Sequence, residues 1–159
     1  MMPSELAAAL ANFPVAIRLP VQWGDHDAFN HVNNTVYFRW CESARIEYLN
    51  QLGLNARSDL AGIGPILAAI SCNYRRPVTY PDNVQIASRV TRLGRSSLTM
   101  DHLIYSEAQR QVVADATSTI VVFDYQSQKS QPVPDPIRQT IERLEGKSFA
   151  HERTTEPTS

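Results

Sequence analysis

One long amphipathic segment, flanked by segments that look like strands, most constrains how this chain can fold. Within it, apolar residues recur at steps of three and four along one face of a helix: Tyr37, Trp40, Cys41, Ala44, Tyr48 and Leu52. Asn33 or Asn34 is suited to cap the N-terminus of such a helix, and Gly53 is suited to end it. The pattern therefore predicts a helix from about Thr35 to Leu52.

The rest of the chain is dominated by strand-like segments. One precedes the helix, and four follow it at short intervals, rich in β-branched residues: Val15–Trp23, Ile70–Tyr74, Val84–Leu93, Leu98–Tyr105 and Val112–Phe123. Consecutive strands joined by short turns are antiparallel. A single long helix can bury its apolar face only across one face of their sheet. After the prolines at 132, 134 and 136, Ile137, Ile141 and Leu144 predict a short terminal helix.

This order of elements predicts an α+β protein of the hot-dog architecture, in which a curved antiparallel sheet of about five strands wraps around one long helix. The length of 159 residues fits one domain. We expect an N-terminal segment at 1–14, a single domain at 15–146 and a polar tail at 147–159. Such a sheet leaves its edges unpaired, so we expect a homodimer or a homotetramer.

Composition excludes several classes of function. The net charge of −1 argues against a nucleic-acid partner. No apolar run approaches the roughly 20 residues of a membrane helix, so no membrane partner is expected. The first residues lack the basic leader of a secretory signal, which predicts a cytoplasmic location. Cys41 and Cys72 have no metal-binding or redox spacing and are interpreted as interior apolar residues.

The run from Trp23 to Asn34 concentrates the groups that can carry chemistry, with two carboxylates and two histidines between a strand and the helix. A helix N-terminus offers unpaired N–H groups and a partial positive charge, which suit an oxygen that becomes negative during a reaction. Asp27 lies a few residues upstream. One carboxylate with such donors can attack a carbonyl carbon, either as a nucleophile or as a base that activates water.

Four ordered motifs resemble the acyl-CoA thioesterases of the hot-dog superfamily, in the branch related to 4-hydroxybenzoyl-CoA thioesterase. The resemblance covers about Arg18 to Leu144. The motifs are W-G-D-H-D-A-F-N-H-V-N-N-T-V-Y with the following F-R-W-C-E-S-A-R, Y-R-R-P-V-T-Y-P-D at Tyr74–Asp82, L-G-R-S-S at Leu93–Ser97, and V-V-A-D-A-T-S-T-I-V-V-F-D at Val112–Asp124.

The resemblance implies that Asp27 is the catalytic carboxylate. It also implies that His31 and Asn34 orient Asp27 or hold a water, and that N–H groups near Asn34 to Tyr37 receive the carbonyl oxygen. Related plant acyl-carrier-protein thioesterases use an Asp, an Asn and a His. Phe29 occupies the position of that Asn here, so the full set of three residues cannot be assigned to this chain. Asn33 and Tyr37 are candidates for substrate binding; alternatively, Asn33 caps the helix and Tyr37 packs in the core.

Arginines dominate the segment from Arg75 to Arg95, which carries a local charge of +4. The planar donor fork of arginine suits phosphate groups. With coenzyme A as part of the substrate and no cofactor expected, the residues predicted to bind its nucleotide end are Arg76, Arg92, Arg95, Ser96 and Ser97. The alternative for these residues is a solvated face of the sheet.

The same residues allow other interpretations. Asp25 could serve structure alone, or Asp25, His26, Asp27 and His31 could bind a metal, although no H-x-x-x-H or H-E-x-x-H spacing supports a metal and none is predicted. A hot-dog enoyl-CoA hydratase would resemble D-x-N-P-x-H. The run from Asp27 to His31 is one residue shorter than that motif and lacks its proline. The same scaffold could also bind acyl-CoA without catalysis.

Overall fold

A computed structural model of the chain describes residues 4–55, 60 and 62–150, so most of the predicted polar tail at 147–159 lies outside the described residues. It contains three helices, a single 3₁₀ turn and six strands within these residues. In chain order they are α1 (Ser4–Leu10), β1 (Val15–Pro20), the 3₁₀ turn (Trp23–Asp25), α2 (Asn34–Gln51), β2 (Ile63–Tyr74), β3 (Asn83–Leu93), β4 (Ser97–Ser106), β5 (Gln111–Asp124), β6 (Lys129–Ser130) and α3 (Asp135–Glu145).

The strands form one antiparallel sheet in the order β1-β3-β4-β5-β2, with the two-residue strand β6 paired to the end of β5. The predicted α+β architecture of an antiparallel sheet around one long helix is confirmed. The first strand is shorter than predicted because it ends at Pro20, and Trp23–Asp25 forms the 3₁₀ turn instead. None of the described helices is long and apolar enough to cross a membrane.

Helix α2 lies across the inner face of the sheet and divides its contacts between two apolar clusters. Its N-terminal half, with Tyr37 and Trp40, packs on the half of the sheet that contains Ile86 and Ile104. Its C-terminal half packs on the other half: Tyr48, Leu49 and Leu52 contact Val90, Leu93, Leu98, Met100 and Ile120. The two ends of α2 therefore lie over opposite ends of the central strands β3 and β4.

A row of polar side chains separates the two clusters beneath α2. His102 on β4 is buried between Ser88 on β3 and Ser118 on β5, with 2.8 Å from Nδ1 to the Ser88 hydroxyl and 2.8 Å from Nε2 to the Ser118 hydroxyl. Burial, and then the nearby charge of Arg45, lowers the pKa of His102 to about 4. The imidazole is therefore neutral in the folded protein at pH 7.

The two terminal helices pack in different places. Leu6 and Leu10 of α1 pack on the outer face of the sheet against Ala87 and Tyr105. Helix α3 packs with Ile137 and Ile141 in the cluster that holds the C-terminal half of α2. There Glu145 Oε1 accepts hydrogen bonds from the Tyr48 hydroxyl at 2.6 Å and from the Val90 N–H at 2.7 Å. This carboxylate ties α3 to both α2 and β3.

Candidate functional site

Residues 25–33 form a tight hairpin between the 3₁₀ turn and α2, which we call the 25–33 hairpin. The Asn33 N–H donates to the Asp25 carbonyl at 2.9 Å, and the Asp27 N–H donates to the His31 carbonyl at 2.8 Å. Asn30 turns the tip with a positive φ of 62°, which asparagine tolerates better than most residues. The backbone thus places Asp27 close to the start of α2.

Asp25 fixes this hairpin to α2. Its carboxylate is only 4% exposed and accepts hydrogen bonds from the Gln22 N–H at 2.8 Å and from Arg39 Nη2 at 2.7 Å. Arg39 lies on the second turn of α2, so this ion pair joins the helix to the hairpin. Asp25 therefore has a structural role in this arrangement.

A second attachment joins the hairpin to residues 78–80. Val32 donates its N–H to the Val78 carbonyl at 2.8 Å. The Tyr80 N–H donates to His26 Nε2 at 2.7 Å. The hairpin is consequently held on two sides, by α2 and by the segment that leads into β3.

Asp27 faces a cleft of about 370 Å³ at the N-terminal end of α2. Its Oδ1 accepts a hydrogen bond from the Phe29 N–H at 2.8 Å, and no described residue donates a hydrogen bond to its Oδ2. The side chain is half-buried, and the hydrogen bond from Phe29 orients it. The residues that line the cleft are Asp27, His31, Val32, Asn34, Tyr37, Tyr74, Arg75, Arg76 and Pro77.

The hydrogen bonds in the first turn of α2 decide which of its N–H groups stay unpaired beside this cleft. Asn33 caps the helix: its Oδ1 accepts from the Thr35 N–H at 3.0 Å and from the Thr35 hydroxyl at 3.0 Å. The Val36 N–H donates to the Asn33 carbonyl at 3.0 Å. Among the described residues, this leaves the Asn34 N–H as the unpaired donor at the helix tip, so fewer donors are available than the sequence suggested.

Two tyrosines form one wall of the cleft. The Tyr74 hydroxyl, at the end of β2, donates to the Asn34 carbonyl at 3.0 Å. Its ring meets the ring of Tyr37 edge to face, with centroids 4.9 Å apart. Tyr37 is 2% exposed, and burial raises its pKa to about 12. Both interactions attach the end of β2 to the start of α2.

Two arginines from the loop after β2 complete the cleft. Arg75 forms an ion pair with Asp115, which also accepts a hydrogen bond from Asn73 Nδ2 at 2.9 Å. Arg76 is exposed, and its guanidinium makes no ion pair within the described residues. Of the two, Arg76 is the one whose charge is available to a ligand.

The structure brings together only part of the predicted set. Asp27, His31, Asn34, Tyr37 and Arg76 share the cleft, whereas Asn33 is used as the helix cap. The other predicted phosphate-binding residues lie in or next to the turn between β3 and β4, beside the C-terminal half of α2: Arg92, Arg95, Ser96 and Ser97. The 18 residues of α2 span about 27 Å, which separates this turn from the cleft within one chain.

Tyr74 and Arg75 are cleft residues that the sequence analysis did not assign to the site. The available signal was the Y-R-R-P run that ends β2, since a polar run at a strand end commonly lines a site. Among the described residues, no group of three or more His, Cys, Asp or Glu side chains is arranged to hold a metal. Asp25 and His26 are instead engaged by Arg39 and by the Tyr80 N–H.

Comparisons with known proteins identify relatives over most of the chain. The sequence model of the thioesterase-like superfamily matches residues 21–141. The long-chain acyl-CoA thioesterase FadM of Escherichia coli (strain K12) is 31% identical over 118 residues, which are 74% of this chain and 89% of that protein.

Solved structures agree with these matches. A thioesterase from Thermus thermophilus, complexed with coenzyme A and Zn, superposes with a TM-score of 0.75 at 31% identity, covering 87% of this chain and 98% of that one. A thioesterase superfamily structure from Jannaschia sp. CCS1 superposes with a TM-score of 0.81 at 22% identity, covering 94% and 96% of the two chains. The latter likeness shows the fold alone.

Proposed function

Because this chain belongs to the thioesterase-like superfamily, we propose that it hydrolyses an acyl-CoA thioester to a free carboxylic acid and coenzyme A, with Asp27 as base or nucleophile. The chain is a thioester hydrolase with the hot-dog fold, as its motifs predicted. The observation that supports the proposed mechanism is the shared cleft of Asp27 and the N-terminus of α2, in which one carboxylate oxygen and one N–H are unpaired.

The thioester carbonyl carbon would lie between these two groups. As a base, Asp27 takes a proton from water, and the hydroxyl oxygen attacks the carbonyl carbon. The carbonyl oxygen becomes negative and accepts a hydrogen bond from the Asn34 N–H at the positive end of the helix dipole. Collapse of this intermediate breaks the C–S bond, and the thiolate of coenzyme A recovers the proton.

As a nucleophile, Asp27 would instead form an acyl-aspartyl anhydride and expel the thiolate, and water would then cleave the anhydride. The His31 ring, exposed at the rim, is placed to hold the water in either route. In a single turnover in ¹⁸O water, label in the Asp27 carboxylate identifies the nucleophilic route with water attacking the Asp27 carbonyl carbon of the anhydride. The base route places ¹⁸O only in the released acid.

Arg76 and Tyr74 are proposed to bind the substrate rather than to react, with Tyr37 in support. The free guanidinium of Arg76 at the rim suits a phosphate of coenzyme A. The 43% exposed ring of Tyr74 suits the acyl group or the pantetheine arm, and the 2% exposed ring of Tyr37 packs against it. Arg92, Arg95, Ser96 and Ser97 stay predictions as further phosphate contacts.

We also propose that the chain acts as a homo-oligomer that pairs through β2. This strand of 12 residues is an edge of the sheet, and it exposes Ile66 and Leu67 by 39% and 42%. Long apolar edges favour pairing with a second copy. Light scattering should give at least a dimer for the natural protein and a smaller mass for Leu67→Lys; a monomeric natural protein contradicts this proposal.

The test of the activity is a thiol-release screen over acyl-CoA substrates from acetyl to palmitoyl, with a benzoyl and an enoyl member. We expect release of one thiol per acid formed, with kcat/KM that depends on the acyl group. Loss of enoyl absorbance without thiol release would indicate a hydratase. Tight acyl-CoA binding without thiol release would indicate a binding protein, and either result overturns the proposal.

A further inference from the structure

His26, the residue directly before Asp27, has a specific contact that the proposed mechanism does not use. Its half-buried ring lies next to the rings of Trp23 and Tyr80, with centroids 5.7 Å and 6.4 Å away. Its Nε2 is 2.7 Å from the backbone nitrogen of Tyr80. This histidine is therefore held by a hydrogen bond at one defined ring atom.

That hydrogen bond reports the protonation state of the ring. A backbone N–H can only donate, so Nε2 of His26 must carry a lone pair, and the ring proton is on Nδ1. A protonated imidazolium has N–H groups at both nitrogens and would point one of them at the Tyr80 N–H. The contact therefore exists only while His26 is neutral.

The same contact controls how the 25–33 hairpin sits beside the cleft. His26 and Val32 face each other across the hairpin, and the hydrogen bond from Val32 to the Val78 carbonyl is the second attachment to the same segment. Pro77, just before that segment, lines the cleft together with Asp27. Loss of the His26 contact would leave one of the two hydrogen bonds described between the hairpin and residues 78–80.

The charged and titratable groups around His26 come from three directions. Asp25 in the 3₁₀ turn is neutralised by Arg39. On the hairpin, Asp27 precedes the tip and His31 follows it. On the segment that leads into β3, Tyr80 supplies its ring and N–H, and the buried Asp82 accepts hydrogen bonds from Asn83, Ser106 and Ala108.

We propose that His26 is a positioning residue for the hydrolysis: its neutral imidazole accepts the Tyr80 N–H and thereby holds Asp27 against the cleft. The inference rests on the proposed function and deepens it. Protonation of His26 breaks the contact, loosens the hairpin on that side and reduces turnover. Histidine is suited to this role because protonation turns its acceptor nitrogen into a donor.

The test compares pH profiles of kcat and KM for the natural protein, His26→Gln and His26→Ala between pH 5 and 9. The glutamine carbonyl oxygen reaches about as far as Nε2 and accepts a hydrogen bond without titrating. We expect kcat of the natural protein to fall about tenfold from pH 8 to pH 5, because small displacements of a catalytic group are costly. His26→Gln should keep most of the pH 8 activity and lose this fall, and His26→Ala should be slow throughout.

A readout apart from activity is the backbone amide resonance of Tyr80, which should move with pH in the natural protein and not in His26→Gln. If the resonance moves but both proteins have the same kcat profile, the contact is structural only and the inference is overturned. If the resonance does not move, it is overturned as well. Absence of thiol release from the natural protein at every pH would instead remove the proposed function itself.

Discussion

At the scale of single residues, the turn that orients Asp27 also leaves one of its carboxylate oxygens without a hydrogen bond from the described residues. The Phe29 N–H engages Oδ1 and fixes the side chain, while Oδ2 has no donor among the described residues. The positive φ of Asn30 closes the turn that makes this bond possible. The local sequence D-A-F-N-H thus determines both the shape of the loop and the exposure of one carboxylate oxygen.

The cleft residues nearest in sequence to Asp27 were predictable, whereas of the distant ones Arg76 was predicted and Tyr74 and Arg75 were not. His31, Asn34 and Tyr37 follow within ten residues, so a strand end and a helix start suffice to place them together. Tyr74 and Arg75 come from the end of β2, and their place depends on how far along β5 that strand pairs. The local sequence pattern of β2 contains no information on the register in which it pairs with β5.

Removal of the helix cap at Asn33 should weaken α2 at the site. Asn33→Ala loses the acceptor for the Thr35 N–H, so we expect the free energy of unfolding to fall by about 1 kcal/mol. Asn33→Asp keeps a capping oxygen and should stay close to the natural protein. Urea unfolding measures both; equal stability of Asn33→Ala and the natural protein would show that the cap contributes nothing.

At the scale of elements, the long helix was predicted to within one residue at each end, since caps and periodicity are local signals. The end of β1, the short strand β6 and helix α1 were not predicted. The order of the strands was not predicted either: β2 follows α2 in sequence yet lies at the sheet edge beside β5. Pairing between distant strands depends on burial of the whole sheet.

The ion pair between Arg39 and Asp25 should stabilise the contact between α2 and the 25–33 hairpin. Arg39→Ala leaves a 4% exposed carboxylate with only the Gln22 N–H, so we expect a loss of about 1–3 kcal/mol in unfolding free energy. In an Asp25→Asn background the same change should cost clearly less. A double-mutant cycle by urea unfolding tests this, and strictly additive effects would mean that the pair is not coupled.

At the scale of the whole molecule, the polar row beneath α2 makes stability depend on pH. Burial, with Arg45 second, lowers the pKa of His102 to about 4, so the folded state favours the neutral ring. An unfolded histidine titrates near 6.5, so this contribution is complete above that pH and is lost as pH falls toward 4. The total is about 3 kcal/mol.

His102→Gln tests this pH dependence because glutamine can contact both serines without titrating in that range. Urea unfolding at pH 7.5 and pH 5 should show a large loss of stability at pH 5 in the natural protein and a smaller one in His102→Gln. If the two proteins lose the same free energy between these pH values, other groups cause the dependence and the assignment to His102 is wrong.

The activity of the whole protein is proposed to depend on Asp27, and kcat for thiol release by Asp27→Asn measures that dependence. Asparagine keeps the shape and can still accept the Phe29 N–H, so the fold should be retained, as the circular dichroism spectrum and urea midpoint would show. The control is Asp135→Asn, an exposed carboxylate in the first turn of α3 far along the chain. We expect kcat to fall about 10²–10⁴-fold in Asp27→Asn and hardly to change in the control. An unchanged kcat in a folded Asp27→Asn protein would show that Asp27 is not the catalytic carboxylate.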